Sequence, residues 1–458
     1  MLLNMNFPKN FIWGAATASY QIEGAAREAG KGLSIWDTFS HSEGKVKNGD
    51  HGDIACDHYH RYKEDIKLMK ELGLQAYRFS ISWPRILPEG KGKINPDGLA
   101  FYSRLVDELL AAGIEPYVTL FHWDLPQALY DLGGWLNRDI TDWFAEYTRI
   151  VVEAFSDRVT YWMTTNEPPC HVILGHMDGS HAPGDRVPLR EAFTMMHHLH
   201  LAHGKAVRTI RSYAKKKPMI SYVPNPAPGV PFTDSKEDLE ATRAFTFSGT
   251  ARGMWSNTWW LDPPLLGKYP QDGLEYYRSD FPMEVIRDGD MELINQPLDY
   301  LGINLYQGSV IRKDASAKLG FSEVVRKPGF DKTALKWLVH PEIMYYVPKF
   351  LYERYQLPIL IAENGLSMAD WVSLDGKVHD PGRIDFMHRY LKELLKASSE
   401  GIDIRGFFYW SLMDNFEWAE GYNERFGLIH VDYVTQQRTL KDSAYWYKDV
   451  IRTNGQIL

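Results

Sequence analysis

The sequence predicts an α/β fold: a single (β/α)8 TIM barrel over residues 1–458, with long βα loops forming the active-site walls. Three observations carry this reading. Eight short β-rich runs alternate with amphipathic stretches, the pattern of parallel βαβ units. Five of those runs end in polar or ionisable residues, as barrel strands do at a catalytic mouth. The length, 458 residues, allows one barrel with insertions, although length alone also leaves two to three smaller domains. An open doubly wound sheet is the second architecture that this alternation allows.

Taken in order, the runs are residues 11–13, 76–80, 116–120, 161–164, 219–223, 300–304, 358–361 and 406–410. Each is rich in aromatic or β-branched residues, which suit a pleated surface. The second run also alternates. Arg78, Ser80 and Ser82 fall on one face, and Tyr77, Phe79, Ile81 and Trp83 on the other. Between the runs, residues 62–72, 98–112, 139–155, 189–213 and 383–399 repeat apolar side chains at three- and four-residue steps, which predicts helices. Polar run ends are Arg78, His122, Asn166 with Glu167, Asn304 and Glu363. A buried charge without a partner is costly, so such ends imply a use. The longest connections, residues 37–59, 168–188, 223–298 and 307–357, are read as the wall loops.

Composition removes several classes of function. Hydrophobic residues make up 44% and charged residues 24%, which excludes a disordered or collagen-like chain. No run of about 18 apolar residues occurs, so no membrane partner is expected. The first eight residues have neither a basic segment nor an apolar core, so no secretory signal is read there. With 51 basic and 59 acidic residues the net charge is −8, which argues against nucleic acid. Cys56 and Cys170 read as reduced thiols of a cytoplasmic protein and cannot alone build a zinc site. The 15 Trp and 26 Tyr serve a core, and equally suit stacking on sugar faces.

Two carboxylates stand out. Thr164-Thr165-Asn166-Glu167-Pro168 ends the fourth run, and Ile359-Leu360-Ile361-Ala362-Glu363-Asn364-Gly365 ends the seventh. Alone, each reads as an ordinary turn carboxylate. Together, on strands four and seven, read as facing each other across the mouth of an eight-stranded barrel, they form the pair that glycoside hydrolysis uses, one protonated and one ionised.

The chain resembles glycoside hydrolase family 1 along nearly its whole length. The matching segments include Tyr20-Gln21-Ile22-Glu23-Gly24, Tyr77-Arg78-Phe79-Ser80-Ile81-Ser82-Trp83-Pro84-Arg85, Phe121-His122-Trp123-Asp124-Leu125-Pro126 and Trp410-Ser411-Leu412-Met413-Asp414-Asn415-Phe416-Glu417-Trp418-Ala419-Glu420. The resemblance implies a retaining exo-β-glycosidase without metal or organic cofactor. It makes Glu167 the acid/base and Glu363 the nucleophile. Asn166 would bond the sugar 2-hydroxyl, Arg78 would lower the pKa of Glu363, and Tyr306 would donate to it. The Glu363 charge would in turn raise the pKa of Glu167. Gln21, His122, Trp123, Glu417 and Trp418 would hold the donor sugar, with Trp410 beneath its ring. Trp337 and Asn225 would line the aglycone side. A cis peptide between Trp410 and Ser411 is implied as well.

The chain departs from the family pattern at Thr165, Ala362, Leu305 and Lys336, and at Pro224 and Pro226 around Asn225. These bear on aglycone preference and loop shape. His197, His198, His200 and His203 could share helix faces, but no carboxylate accompanies them at metalloprotease spacing. The expected partners are small β-glucosides and cello-oligosaccharides, with β-galactosides and β-fucosides as further substrates. Oligomeric state is left open. A 6-phospho-β-glucosidase is the alternative enzyme, against which Glu417 argues. A thioglucosidase would dispense with Glu167, and an inactive sugar-binding relative would dispense with either carboxylate.

Overall fold

The computed structural model describes residues 6–325 and 328–458. Eight parallel strands form the barrel: β1 (Ile12–Ala16), β2 (Ala76–Ser80), β3 (Glu115–Phe121), β4 (Tyr161–Asn166), β5 (Met219–Val223), β6 (Leu301–Asn304), β7 (Ile359–Asn364) and β8 (Ile404–Trp410). Their order is β5-β4-β3-β2-β1-β8-β7-β6. Sparser bonds join β5 to β6: the Asp299 amide donates to the Ile220 carbonyl at 3.0 Å, the Gly302 amide to Ser221 Oγ at 2.8 Å, and the Asn304 amide to the Pro224 carbonyl at 3.1 Å. The barrel reading therefore holds and the open sheet does not.

All eight runs are strands; residues 76–80 and 219–223 match in full, and the other six differ at one end or both. The amphipathic stretches are helices His58–Leu72, Pro96–Ala111, Ile140–Phe155, Leu189–Tyr213 and Pro381–Ser399, which cover the outside of the sheet. Inside, Tyr117 of β3 stacks on Tyr161 of β4 at 4.1 Å and reaches Phe408 of β8 at 4.9 Å. β3 and β8 are not neighbours, so this aromatic layer fills the barrel itself. Arg78 aligns with Ala16 on one side and Tyr117 on the other, and is fully buried. The faces of β2 divide as the alternation predicts.

The wall loops hold more structure than their sequence suggests. Residues 223–298 include helices Lys236–Thr246 and Asn257–Leu266, the latter with Pro263 and Pro264 inside it. A small sheet joins Gly229–Pro231, Ser309–Lys313 and Phe321–Glu323, drawn from the connections after β5 and β6. Among the described residues no helix is long and apolar enough to cross a membrane.

Candidate active site

A cleft of about 590 Å³ opens at the C-terminal ends of the strands, with both Glu167 and Glu363 in its lining. Both strands that lead to these carboxylates carry an extra residue just before them. In β7, Ile361 pairs with Ile303 and Glu363 with Asn304, which leaves Ala362 unmatched. In β4, Met163 pairs with Ser221 and Asn166 with Val223, again one residue too many. Such bulges re-aim a side chain. Here they turn Glu363 and Asn166 inward, and the Ala362 carbonyl accepts from Arg78 Nη1 at 3.3 Å. Glu167 follows β4 with φ 42° and ψ 57°. That left-handed conformation costs a non-glycine residue about 1–3 kcal/mol. Its amide donates to the Val223 carbonyl at 2.7 Å, which holds it there. The two carboxylates stand three strands apart around the barrel, not on diametrically opposed strands.

The two carboxyls have different surroundings. Glu363 accepts from Arg78 Nη1 at 2.5 Å and from the Tyr306 hydroxyl at 2.7 Å. Glu167 accepts from Asn304 Nδ2 at 2.6 Å. Burial pushes the Glu167 carboxyl up to about 7, and the Glu363 charge adds to the rise. Burial is thus the larger cause, where the resemblance implied the Glu363 charge. Burial raises Glu363 as well, so its net shift is upward rather than the lowering implied for Arg78; Arg78 and Tyr306 oppose that rise. Because Glu363 alone has a cation on it, the pair's negative charge rests there and the proton on Glu167.

A hydrogen-bond chain orients the pocket behind them. Asn166 Oδ1 accepts from Arg78 Nη2 at 2.7 Å and Asn304 Nδ2 at 3.0 Å. Its Nδ2 is then the end that meets His122 Nε2, at 2.9 Å. Burial, with Arg78 nearby, holds the His122 pKa well below its usual range, so the imidazole is neutral and carries its proton on Nδ1. Trp123 Nε1 donates to the Asn166 carbonyl at 2.9 Å.

Trp410 stacks against His122 at 5.8 Å, and the Trp410–Ser411 peptide is cis. Trp418 packs on Trp123 and on Trp36, each at 4.6 Å. Glu417 is half-buried at the cleft wall, and its pKa rises to about 8 through desolvation and through the charges of Glu363, Glu424, Glu167 and Glu420. Gln21 lies fully buried behind the cleft lining, with Nε2 donating to the Phe416 carbonyl at 2.8 Å. Its Oε1 and the Nδ1 of His122 are buried without a protein partner. Trp337 lines the cleft, 5.2 Å from the Tyr306 ring. Asn225 lines the same cleft and donates from Nδ2 to Cys170 Sγ at 3.1 Å.

Two residues do more than their sequence suggests. Asn304 is legible only as a polar strand end, yet it bonds both Asn166 and Glu167. Cys170, read as a bland thiol, lies one helical turn beyond Glu167 and hydrogen-bonds its carboxyl. Arg252, Trp255 and Glu323 also line the outer cleft, brought there by the wall loops. The four clustered histidines take separate partners. His197 meets Tyr269 and Asp290, His198 the Trp135 carbonyl and His203 Thr164, while His200 packs against Trp260.

The profile of glycosyl hydrolase family 1 matches residues 3–456. Beta-glucosidase A of Acetivibrio thermocellus is 46% identical over 455 residues, covering 98% of this chain and 99% of that protein. A bifunctional beta-D-glucosidase/beta-D-fucosidase of Bifidobacterium breve is 42% identical over 98% of this chain and 99% of its own length. The structure of a Thermotoga maritima beta-glucosidase in complex with glucoimidazole superposes with a TM-score of 0.90 at 47% identity, covering 98% of this chain and 100% of that one.

Proposed function

The chain belongs to glycosyl hydrolase family 1, and from that premise we propose that it is a retaining exo-β-glucosidase acting on β-glucosides and cello-oligosaccharides. The single observation that carries this reading is the unequal treatment of two buried carboxyls, Arg78 and Tyr306 on Glu363 but only neutral groups on Glu167. In the first step Glu363 attacks the anomeric carbon. Glu167 gives its proton to the leaving oxygen, and a glycosyl-enzyme forms. Loss of the Glu363 charge lowers the Glu167 pKa, so the same group then takes a proton from water. The tyrosine hydroxyl and guanidinium keep Glu363 both charged and aimed.

The donor sugar is read as unphosphorylated glucose. Gln21 Oε1 and His122 Nδ1 offer one acceptor and one donor to its hydroxyls. Glu417 would take the 4- and 6-hydroxyls, and Trp418 would donate from its indole. A carboxyl can engage either epimer at C4, so galactosides and fucosides should react too. The fucosidase activity in the name of the Bifidobacterium breve relative favours this breadth.

The 6-phospho alternative meets the electrostatics of Glu417. The charges that raise its pKa are carboxylates, Glu363 foremost. A 6-phosphate would add another anion in a closed pocket, besides losing hydrogen bonds worth about 1.5–3 kcal/mol. Kinetics on an aryl β-glucoside and its 6-phosphate should therefore differ at least about a hundredfold in kcat/KM, in favour of the plain sugar. A preference for the phosphate would overturn both the substrate and the role given to Glu417.

The acid also sets a pH limit. Glu167 must be protonated in the free enzyme, so kcat/KM should fall as pH rises through about 7, tenfold per unit thereafter. A profile flat to pH 9 would contradict this assignment.

A further inference from the structure

The loop after β1 carries a cluster that hydrolysis does not use. His41 ends helix Ile35–Ser40 and stacks on His51, with ring centroids 4.7 Å apart and planes 20° apart. Both rings turn a nitrogen toward Asp53. His41 Nε2 lies 3.2 Å from one carboxylate oxygen and His51 Nδ1 lies 3.5 Å from the other. One ligand atom from each residue falls within 4.8 Å of the others, and among the described residues no other group of three His, Cys, Asp or Glu does so.

Hydrogen bonding fixes which atom of His41 is available. Its Nδ1 lies 2.7 Å from the Asp37 carbonyl, which can only accept, so Nδ1 carries a proton. In the neutral ring, Nε2 then presents a lone pair to the Asp53 carboxylate. Two acceptors at that distance repel unless a cation lies between them. A ring N–H held by a backbone carbonyl is also the usual outer arrangement around a metal-bound histidine. Zinc bonds of about 2.0–2.2 Å give tetrahedral edges of about 3.3–3.6 Å. The two spacings here, 3.2 and 3.5 Å, run to different oxygens of Asp53, and one ligand atom from each residue lies within 4.8 Å of the others, so the three side chains need only draw together to share one ion. The His41, His51 and Asp53 side chains are 36%, 44% and 30% exposed, so an ion can enter and water can complete its shell.

We propose that His41, His51 and Asp53 bind one divalent transition ion of the zinc class, with water in the remaining position. Imidazole and carboxylate ligands suit such ions and not calcium or magnesium. The ion would brace the pocket wall rather than perform chemistry. His41 closes the helix bearing Trp36, and Gly52, between His51 and Asp53, donates its amide to the Tyr20 hydroxyl at 3.4 Å. Trp36 and Tyr20 both lie against Trp418, at 4.6 and 6.4 Å.

Equilibrium dialysis against zinc and thermal melts test this on wild type, His41→Ala, His51→Ala, Asp53→Asn and His379→Ala. His379, exposed between Asp375 and Asp442, stands for adventitious surface binding. Wild type and His379→Ala should bind one zinc per chain with the same affinity. The three cluster variants should bind at least about tenfold more weakly. At free zinc about 100-fold above Kd, Tm should rise about 2–3 °C in wild type and His379→Ala, and not in the cluster variants. Equal affinity in wild type and His51→Ala, or a loss that follows His379, would overturn the proposal. So would zinc-insensitive melts in which the cluster variants lose stability only at acid pH, since a proton would then be the bridging cation.

Discussion

Glu363→Ala should lower kcat on an aryl β-glucoside by at least about 10⁴-fold, some 5 kcal/mol of transition-state stabilisation. The loss follows from the site. Arg78 and Tyr306 are aimed at the Glu363 oxygens, at 2.5 and 2.7 Å, and at nothing else that could attack the sugar. The methyl of alanine leaves space on the face opposite the leaving group. Added azide should occupy it and attack once, restoring cleavage of a substrate with an activated leaving group. Glu167 remains able to protonate, so the product should be the α-glycosyl azide. Recovery of the β-azide, or no rescue at any azide concentration, would remove Glu363 from the nucleophile's role.

Glu167→Gln should divide substrates by their leaving groups. A methyl or cellobiosyl substrate needs the proton, and its kcat/KM should fall about 10³-fold, within the range of general acid catalysis. A dinitrophenolate leaves unaided, so kcat/KM for that glucoside should change less than about tenfold. Its kcat should still drop, because water then lacks a base and the glycosyl-enzyme accumulates. Azide needs no base and should release that intermediate as the β-glycosyl azide, the opposite anomer to that from Glu363→Ala. The decline above about pH 7 should vanish with the carboxyl. Equal losses on all substrates would make Glu167 a structural residue.

Much of this site is legible because barrel strands alternate and end in use. Arg78 could be placed inside from its neighbours Tyr77 and Phe79, and the polar ends at His122, Asn166 and Glu363 all reach the cleft or its supporting network. The small sheet of the wall loops is not legible. Gly229–Pro231 and Phe321–Glu323 are three-residue strands, too short for any period, and pair only because distant segments meet. The bulge at Ala362 is hidden for the same reason, since it exists only relative to β6 and β8. Asn304 shows its two bonds only once β4 and β6 lie in one barrel. The sign of the Glu363 shift also depends on packing. A sequence shows the cation, Arg78, but not the depth of burial that outweighs it.

The central claim is that Glu363 forms a covalent glycosyl-enzyme and Glu167 then directs water to the face the aglycone left. Proton NMR of the wild-type reaction on an aryl β-glucoside, recorded before mutarotation, tests it most directly. Two inversions predict β-glucose as the first sugar to appear, with the α anomer growing only at the rate of spontaneous mutarotation. α-Glucose appearing first would mean a single displacement by water, and would contradict the account.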